Sequence, residues 1–220
     1  FMYEDVEVYL EVATDYAGAG FYADAISVLQ QIEHQTDYPL VDYYLGYFWQ
    51  QQGDSESAQR YFEMAAQKPS DYVFPFRLES MDVLETAMQQ HSDDSRAPYY
   101  LGNLLYDWQP ERAITLWEQA IEQNSNFALA FRNLGVGYAQ HKNDPAQSIE
   151  FYERAVELNP DDPRFYYELD VMYENQNVAP ETRLALMQQQ RKTVFKRDDA
   201  LSRLVEVQVL TGKYDAAIDI

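Results

Sequence analysis

Apolar residues along this chain recur at intervals of three and four, which is the spacing of the buried face of an amphipathic helix. The pattern contains a recurring phrase, a Leu-Gly pair within a helical stretch, at Leu45-Gly46, Leu101-Gly102 and Leu134-Gly135. Each phrase is followed by a polar break and then by a second amphipathic stretch. The pattern predicts helix–turn–helix units repeated along an all-α chain.

The second stretch of each unit carries an aromatic residue three positions before an alanine. These pairs are Phe62 and Ala65, Trp117 and Ala120, and Tyr152 and Ala155. We expect the small glycine and alanine positions to let paired helices approach closely. Because one helix pair cannot cover its own apolar face, neighbouring pairs are expected to stack.

This arrangement resembles the tetratricopeptide (TPR) repeat, which spreads an aromatic residue, Leu-Gly, Tyr, Ala, Phe, Ala and Pro over about 34 residues. The resemblance implies a right-handed superhelical solenoid of about six to seven repeats that forms a single domain over residues 1–220. The expected repeats are 5–38, 39–70, 71–95, 96–126, 127–160, 161–198 and 199–220.

Three of these repeats depart from the pattern. Leu45 and Leu101 lie 56 positions apart, whereas two repeats need about 68, so the third repeat is degenerate and one of its helices is short or missing. The sixth repeat has Leu169-Asp170 in place of Leu-Gly, and the last repeat is truncated. The chain starts without methionine and stops within a helical pattern, so we interpret it as a piece of a longer protein.

Composition narrows the possible partners. The 220 residues are 46% hydrophobic and 15% aromatic, enough for a substantial core, and they carry a formal charge of −21. This charge repels phosphate backbones and anionic headgroups, so nucleic acid and membrane surfaces are poor candidates. The sequence contains no cysteine, signal peptide or apolar run that could span a bilayer. Compartment and oligomeric state stay open, and both cytoplasm and periplasm are possible.

The sequence offers no clear catalytic or metal-binding group. His34, His91 and His141 lie in different units without a second ligand at metal-binding spacing. The acidic pairs Asp93-Asp94 and Asp161-Asp162 precede helices, where aspartate caps exposed amides. No glycine-rich phosphate loop or nucleophile elbow is present. We therefore expect neither enzymatic activity nor a cofactor or metal.

The resemblance also implies a binding surface, because a stripe on the first helix of each TPR pair lines the concave groove. The residues expected there to bind a partner are Tyr43, Tyr47, Tyr99, Asn103, Tyr106, Arg132, Asn133, Arg164 and Tyr167. Tyrosine combines a large contact area with a polar tip, which suits a peptide or a partner loop. The alternative is that these tyrosines only fill large helical positions.

Some TPR domains bind a carboxylate at the end of a peptide with a clamp of lysine, asparagine and arginine. Asn103, Asn133 and Arg164 fall in the corresponding places, but Tyr99 and Glu168 occupy two cationic ones. The resemblance therefore implies an incomplete clamp with too little positive charge for a free carboxylate. The two asparagines could still bind an extended backbone, or could be solvated.

Two functions from different classes follow from the resemblance. The first is a non-catalytic scaffold that binds a peptide, a loop or a neighbouring domain in its groove. The second arises because residues 99–220 resemble the TPR region of large bacterial proteins with an upstream β-rich domain thought to be related to glycan-acting proteins. On that interpretation the chain is the helical scaffold of a larger glycan-processing enzyme. Self-association through exposed end helices is a third hypothesis.

Overall fold

The computed structural model describes residues 3–220, so positions 1 and 2 of the expected domain lie outside the described residues. Within this range the chain forms α-helices, one π-helical turn and connecting loops, with no β-strand. The all-α prediction is thus confirmed. The helices fall into two compact units, Phe1–Asn124 (unit 1) and Ser125–Ile220 (unit 2). The expectation of one continuous domain stays a prediction.

Unit 1 contains three helix pairs and one additional helix. Its helices are α1 (Tyr3–Gly18), α2 (Tyr22–Gln30), α3 (Pro39–Gln52), α4 (Ser55–Ala65), α5 (Ser80–Gln90), α6 (Arg96–Leu105) and α7 (Pro110–Gln123). Helix α5 is the irregular third repeat, because the described segment 66–79 contains turns but no helix. It packs against both α3 and α6. The prediction that one helix of this repeat is short or missing is confirmed.

Unit 2 continues the helix–turn–helix pattern. Its helices are α8 (Ala128–Gly137), α9 (Pro145–Leu158), α10 (Pro163–Asn175), α11 (Pro180–Gln189), α12 (Arg191–Val194), α13 (Asp198–Leu210) and α14 (Tyr214–Ile218), with a π-helical turn at Tyr138–Lys142. One apolar cluster joins α9, α10, α11 and α13. Among the helices of residues 3–220, none is both long and apolar enough to cross a bilayer.

Local sequence sets where several of these helices begin. Asp162 accepts a hydrogen bond from the backbone N–H of Arg164 at 2.9 Å, and Pro163 occupies the first turn, where its missing N–H costs nothing. Asp94 likewise accepts from the N–H of Arg96 at 2.8 Å. The predicted capping roles of these aspartates are confirmed.

The Leu-Gly pairs create the close contacts that the pattern predicts. Each glycine lies against the aromatic residue of the second helix; the pairs are Gly46 with Phe62, Gly102 with Trp117, and Gly135 with Tyr152. A Cβ added at Gly135 would lie 2.7 Å from the Cδ2 of Tyr152, closer than carbon atoms can approach. The alanines of the second helices, Ala65, Ala120 and Ala155, are fully buried. Only glycine therefore permits this helix spacing.

The fourth residue of the second helix is the other small residue at this contact. It is Ala58 in α4, Ala113 in α7 and Ser148 in α9, all of them buried. In α11 the same position holds Arg183, which is also buried. In this pair, Arg183 replaces the small residue of the second helix. Asp170 replaces the glycine of the first helix.

Asp170 and Arg183 form the centre of a buried ion network in unit 2. The guanidinium of Arg183 donates from Nε and Nη2 to the two carboxylate oxygens of Asp170, both at 2.9 Å. Arg203 of α13 donates to the same carboxylate at 2.6 Å and to Glu174 at 2.8 Å. The hydrogen bond to Asp170 raises the pKa of Arg183 above its ordinary value. The network joins α10, α11 and α13.

Candidate functional site

The expected groove residues divide between the two units. Unit 1 contains Tyr43 and Tyr47 on α3, and Tyr99, Asn103 and Tyr106 on or just after α6. Unit 2 contains Arg132 and Asn133 on α8, and Arg164 and Tyr167 on α10. The two sets differ in exposure and in hydrogen bonding, so each is described by itself.

Tyr43 and Tyr99 do not lie at the surface. Tyr43 is 0% exposed and Tyr99 is 6% exposed, so neither side chain can serve as a broad contact for a partner. The hydroxyl of Tyr43 donates to the Oδ2 of the buried Asp94 at 2.6 Å, and its ring centroid lies 6.0 Å from that of Tyr100. The expectation that these two tyrosines offer a binding surface is corrected.

The degenerate third repeat explains the burial of Tyr43. Since that repeat has one helix rather than two, Asp94 of the loop before α6 and Tyr100 of α6 both contact Tyr43. Burial, together with the charge of Asp94, raises the pKa of Tyr43 well above its ordinary value. The phenol therefore stays protonated and acts as a structural hydrogen-bond donor.

Asn103 and Tyr106 hold Trp117 in place. The Oδ1 of Asn103 accepts a hydrogen bond from the indole Nε1 of Trp117 at 3.1 Å. The ring of Tyr106 lies over the same indole, with centroids 5.0 Å apart. Both residues are half-buried, and these two contacts with Trp117 link α6 to α7. An asparagine beside Leu-Gly thus has a packing role that the sequence did not reveal.

Tyr47 lines a small cleft in unit 1. The cleft has a volume of about 210 Å³ and is walled by Tyr22, Tyr44 and Tyr47, with Asp82 of α5 at its side. Burial raises the pKa of Tyr47, and the neighbouring Tyr22 and Asp82 add to this shift. Tyr47 is the member of the expected set in α3 that keeps partial exposure.

The unit 2 set forms one polar surface across α8 and α10, which we call the α8–α10 surface and define by Arg132, Asn133, Arg164, Tyr167 and Glu168. Each of these side chains is half-buried. The Nε of Arg132 donates to the Oε2 of Glu168 at 2.7 Å, its Nη2 bonds the other carboxylate oxygen, and its Nη1 donates to Asn133 at 3.1 Å. The structure therefore brings together residues that are one repeat apart in sequence.

The arginines of this surface are already neutralised. Arg132 is paired in two-pronged fashion with Glu168, and Arg164 donates to the side chain of Asp162 at 2.8 Å. The hydrogen bond to Asp162 is the main reason that the pKa of Arg164 lies above its ordinary value. A free carboxylate would meet no excess positive charge here, which agrees with the incomplete clamp.

From the sequence, Glu168 is interpreted only as an acidic residue at a position where the carboxylate clamp has a cationic one. The signal that could have revealed its role is the opposite charge of Arg132, which stands at a nearly equivalent place one repeat earlier. Opposite charges at such positions come within reach when the first helices of successive pairs pack side by side. Within the described residues, no group of three or more histidine, aspartate or glutamate side chains is arranged to hold a metal ion.

Comparisons with known proteins bear on the fold. Residues 109–163, which include α7, α8 and α9, match the tetratricopeptide repeat family. The structure is similar to that of PilF from Pseudomonas aeruginosa, with a TM-score of 0.51 and 17% identity over 98% of this chain and 88% of that chain. It is also similar to MamA from Desulfovibrio magneticus RS-1, with a TM-score of 0.48 and 18% identity over 90% of this chain and 99% of that one. The helices themselves, the family match and the similarity to PilF indicate an all-α arrangement of TPR-like helix pairs.

Proposed function

We propose that this chain is a non-catalytic interaction scaffold that binds an extended peptide, a loop or a neighbouring domain on its α8–α10 surface. The observation that carries the proposal is the cluster of half-buried arginine, asparagine and tyrosine side chains across two first helices of TPR-like pairs. The matched family segment supports the same conclusion, because it includes α8.

The chemistry of the surface favours a peptide backbone over a free carboxylate. Arg132 is held rigidly by Glu168, and Asn133 is oriented by the hydrogen bond that it accepts from Arg132. Amide groups placed in this way can exchange donors and acceptors with an extended main chain. Tyr167, one residue before Glu168 on α10, packs partly against the apolar cluster of unit 2 and adds aromatic area with few rotatable bonds to immobilise.

The net charge influences which segments bind fastest. A formal charge of −21 should attract basic segments and repel acidic ones before contact. The effect is long-ranged only at low salt, because charges are screened over about 8 Å at physiological ionic strength. Association of a basic segment should therefore slow as salt is added, and tight binding of duplex DNA at moderate salt would contradict this expectation.

The proposal is tested with a double variant of the α8–α10 surface, Asn133→Ala with Tyr167→Ala. Extended peptides selected by the wild-type chain from a random displayed library serve as probes. We expect the double variant to keep its helical circular dichroism and to lose about 2 kcal/mol of binding free energy, as when aromatic anchors are removed.

The matched control is Tyr214→Ala, which removes a tyrosine that is 61% exposed on α14. It should bind the selected peptides as the wild type does. A folded double variant with unchanged affinity would show that the α8–α10 surface is not the binding site. If the wild-type chain selects no peptide from the library, its partner is not an extended peptide.

A further inference from the structure

Unit 2 contains a cleft between α9, α10 and α11, and no residue of the α8–α10 surface lines it. The cleft has a volume of about 390 Å³. Its inner wall is apolar and buried, with Val156, Tyr166 and Leu169, whereas Glu153 and Glu157 stand exposed at its edge. The cleft thus pairs an apolar interior with an acidic edge.

One of the two carboxylates is fixed in position. The hydroxyl of Tyr173 on α10 donates to the Oε1 of Glu153 on α9 at 2.6 Å. Burial and the nearby carboxylate raise the pKa of Tyr173, so the phenol keeps its proton and continues to donate. Glu153 remains able to accept further hydrogen bonds, because one carboxylate has about four acceptor sites.

The other carboxylate has a weaker partner. Glu157 accepts a hydrogen bond from Arg154 at 2.9 Å, and the two side chains are 66% and 42% exposed. Such an exposed pair three residues apart contributes little and exchanges readily with another cation. Glu153 and Glu157 are four positions apart, so they project from the same face of α9.

We propose that this cleft receives the side chain of a lysine or arginine from a protein segment. The methylene stem of such a side chain would cover the apolar wall formed by Val156 and Leu169, while its charge would meet Glu153 and Glu157. The ring of Tyr173 adds an electron-rich surface that favours a nearby cation. An acidic side chain would be repelled by both carboxylates, and an apolar one would leave the edge unpaired.

The net charge of the chain adds to this preference, since a chain at −21 raises the local concentration of basic segments. The cleft makes this attraction specific, because its apolar wall favours a long side chain and its two carboxylates favour a positive charge at the end of that side chain. A small counter-ion has the charge but lacks the apolar stem, so it would bind the cleft less well.

The experiment is an NMR titration of the isotope-labelled chain with three blocked pentapeptides of sequence Gly-Leu-X-Leu-Gly. X is arginine, lysine or citrulline, the last being a neutral analogue of arginine. We expect shifts confined to α9, α10 and α11 for the arginine and lysine peptides. The citrulline peptide should bind about tenfold more weakly, because it lacks the charge that Glu153 and Glu157 recognise.

A matched pair of variants separates a specific site from general attraction. Glu153→Gln with Glu157→Gln should weaken binding of the arginine peptide about tenfold. Glu150→Gln with Glu181→Gln removes the same charge from exposed positions that do not line the cleft, and should leave affinity unchanged. Equal losses in the two pairs, or equal binding of arginine and citrulline peptides, would overturn the proposal. These residues are not those of the α8–α10 surface, so the two proposals fail independently.

Discussion

In unit 2, the helix pairs α8–α9 and α10–α11 differ in the residues at the contact between their two helices, although these residues occupy equivalent positions. In the first pair Gly135 lies directly against Tyr152, and the hydroxyl of Ser148 donates to the carbonyl oxygen of Gly135 at 2.7 Å. In the second pair Asp170 and Arg183 occupy these positions and form a two-pronged ion pair. One contact is a neutral close approach, and the other is a buried charge network.

The repeat therefore constrains two facing positions together rather than one residue alone. At the neutral contact Gly135 leaves room for the ring of Tyr152, and the small Ser148 reaches the carbonyl oxygen of Gly135. A carboxylate at the glycine position needs a cation opposite, and Arg183 supplies it with Asp170 fully buried. The neutral contact depends on shape, whereas the ionic contact depends on complete pairing, since a buried charge without its partner is costly.

The largest effect is expected from breaking the ionic contact. Asp170→Ala would remove the buried carboxylate that Arg183 and Arg203 share, and would leave Arg183, whose side chain is 4% exposed, with only its 3.3 Å contact to the partly exposed Glu174. The free energy of unfolding should fall by about 3–5 kcal/mol. Chemical denaturation followed by circular dichroism measures this loss.

The companion variant converts the ionic contact into the neutral one. Asp170→Gly with Arg183→Ala should be less destabilising than Asp170→Gly alone, because the second change removes the stranded cation. If the double variant is no more stable than Asp170→Gly, the two residues do not act as a pair and the comparison fails.

A somewhat smaller effect is expected from overfilling the neutral contact. Gly135→Leu would push a side chain into the ring of Tyr152, which a single Cβ already approaches to 2.7 Å. The cost should be about 1–3 kcal/mol or more, measured by thermal or chemical unfolding. Gly18→Ala in α1 is the control, because nothing lies within 4 Å of a Cβ there. A tolerated Gly135→Leu would show that the helices can separate freely.

The hydroxyl of Ser148 should matter less than the glycine it contacts. Ser148→Ala removes one buried hydrogen bond to the Gly135 carbonyl and leaves alanine, the residue that α4 and α7 have at this position. We expect a loss of about 1 kcal/mol of unfolding free energy. A loss comparable to that of Asp170→Ala would mean that the α8–α9 pair also depends on polar pairing.

The smallest predicted effect is a pH dependence confined to the ionic contact. The hydrogen bond from Arg203 is the main reason that the pKa of Glu174 lies below its ordinary value of 4.5. Because the folded state holds the proton less tightly than the unfolded state, this stabilisation is present above pH 4.5 and is lost as the pH falls through the lowered pKa.

Unfolding of the wild type and of Glu174→Gln at several pH values tests this dependence. The difference between them should amount to a few tenths of a kcal/mol at neutral pH, since the side chain of Glu174 is 40% exposed and screened by solvent. It should shrink on acidification. The difference between the wild type and Ser148→Ala should stay constant over the same range, because that contact contains no carboxylate.

Much of the fold could be predicted because its signals are local. The Leu-Gly pairs and the aromatic residues fifteen to seventeen positions later, such as Trp117 and Tyr152, gave the helix pairs and their contacts. The short spacing between Leu45 and Leu101 correctly predicted a missing helix. The candidate site was harder to predict. Helical periodicity indicates which face of a helix a residue lies on, but not which other residues cover that face. Tyr43 has the expected position and is nevertheless buried.

The helices, their pairing and the position of the irregular repeat follow from the sequence, because periodicity, capping aspartates and small residues act within one or two helices. The partners of the charged groups and hydroxyls depend on tertiary packing. The bond from Tyr43 to Asp94 joins residues 51 positions apart, and the pair of Arg132 with Glu168 joins residues 36 apart. Such distant residues meet only when successive pairs have packed, and their free energy depends on the burial that this packing creates.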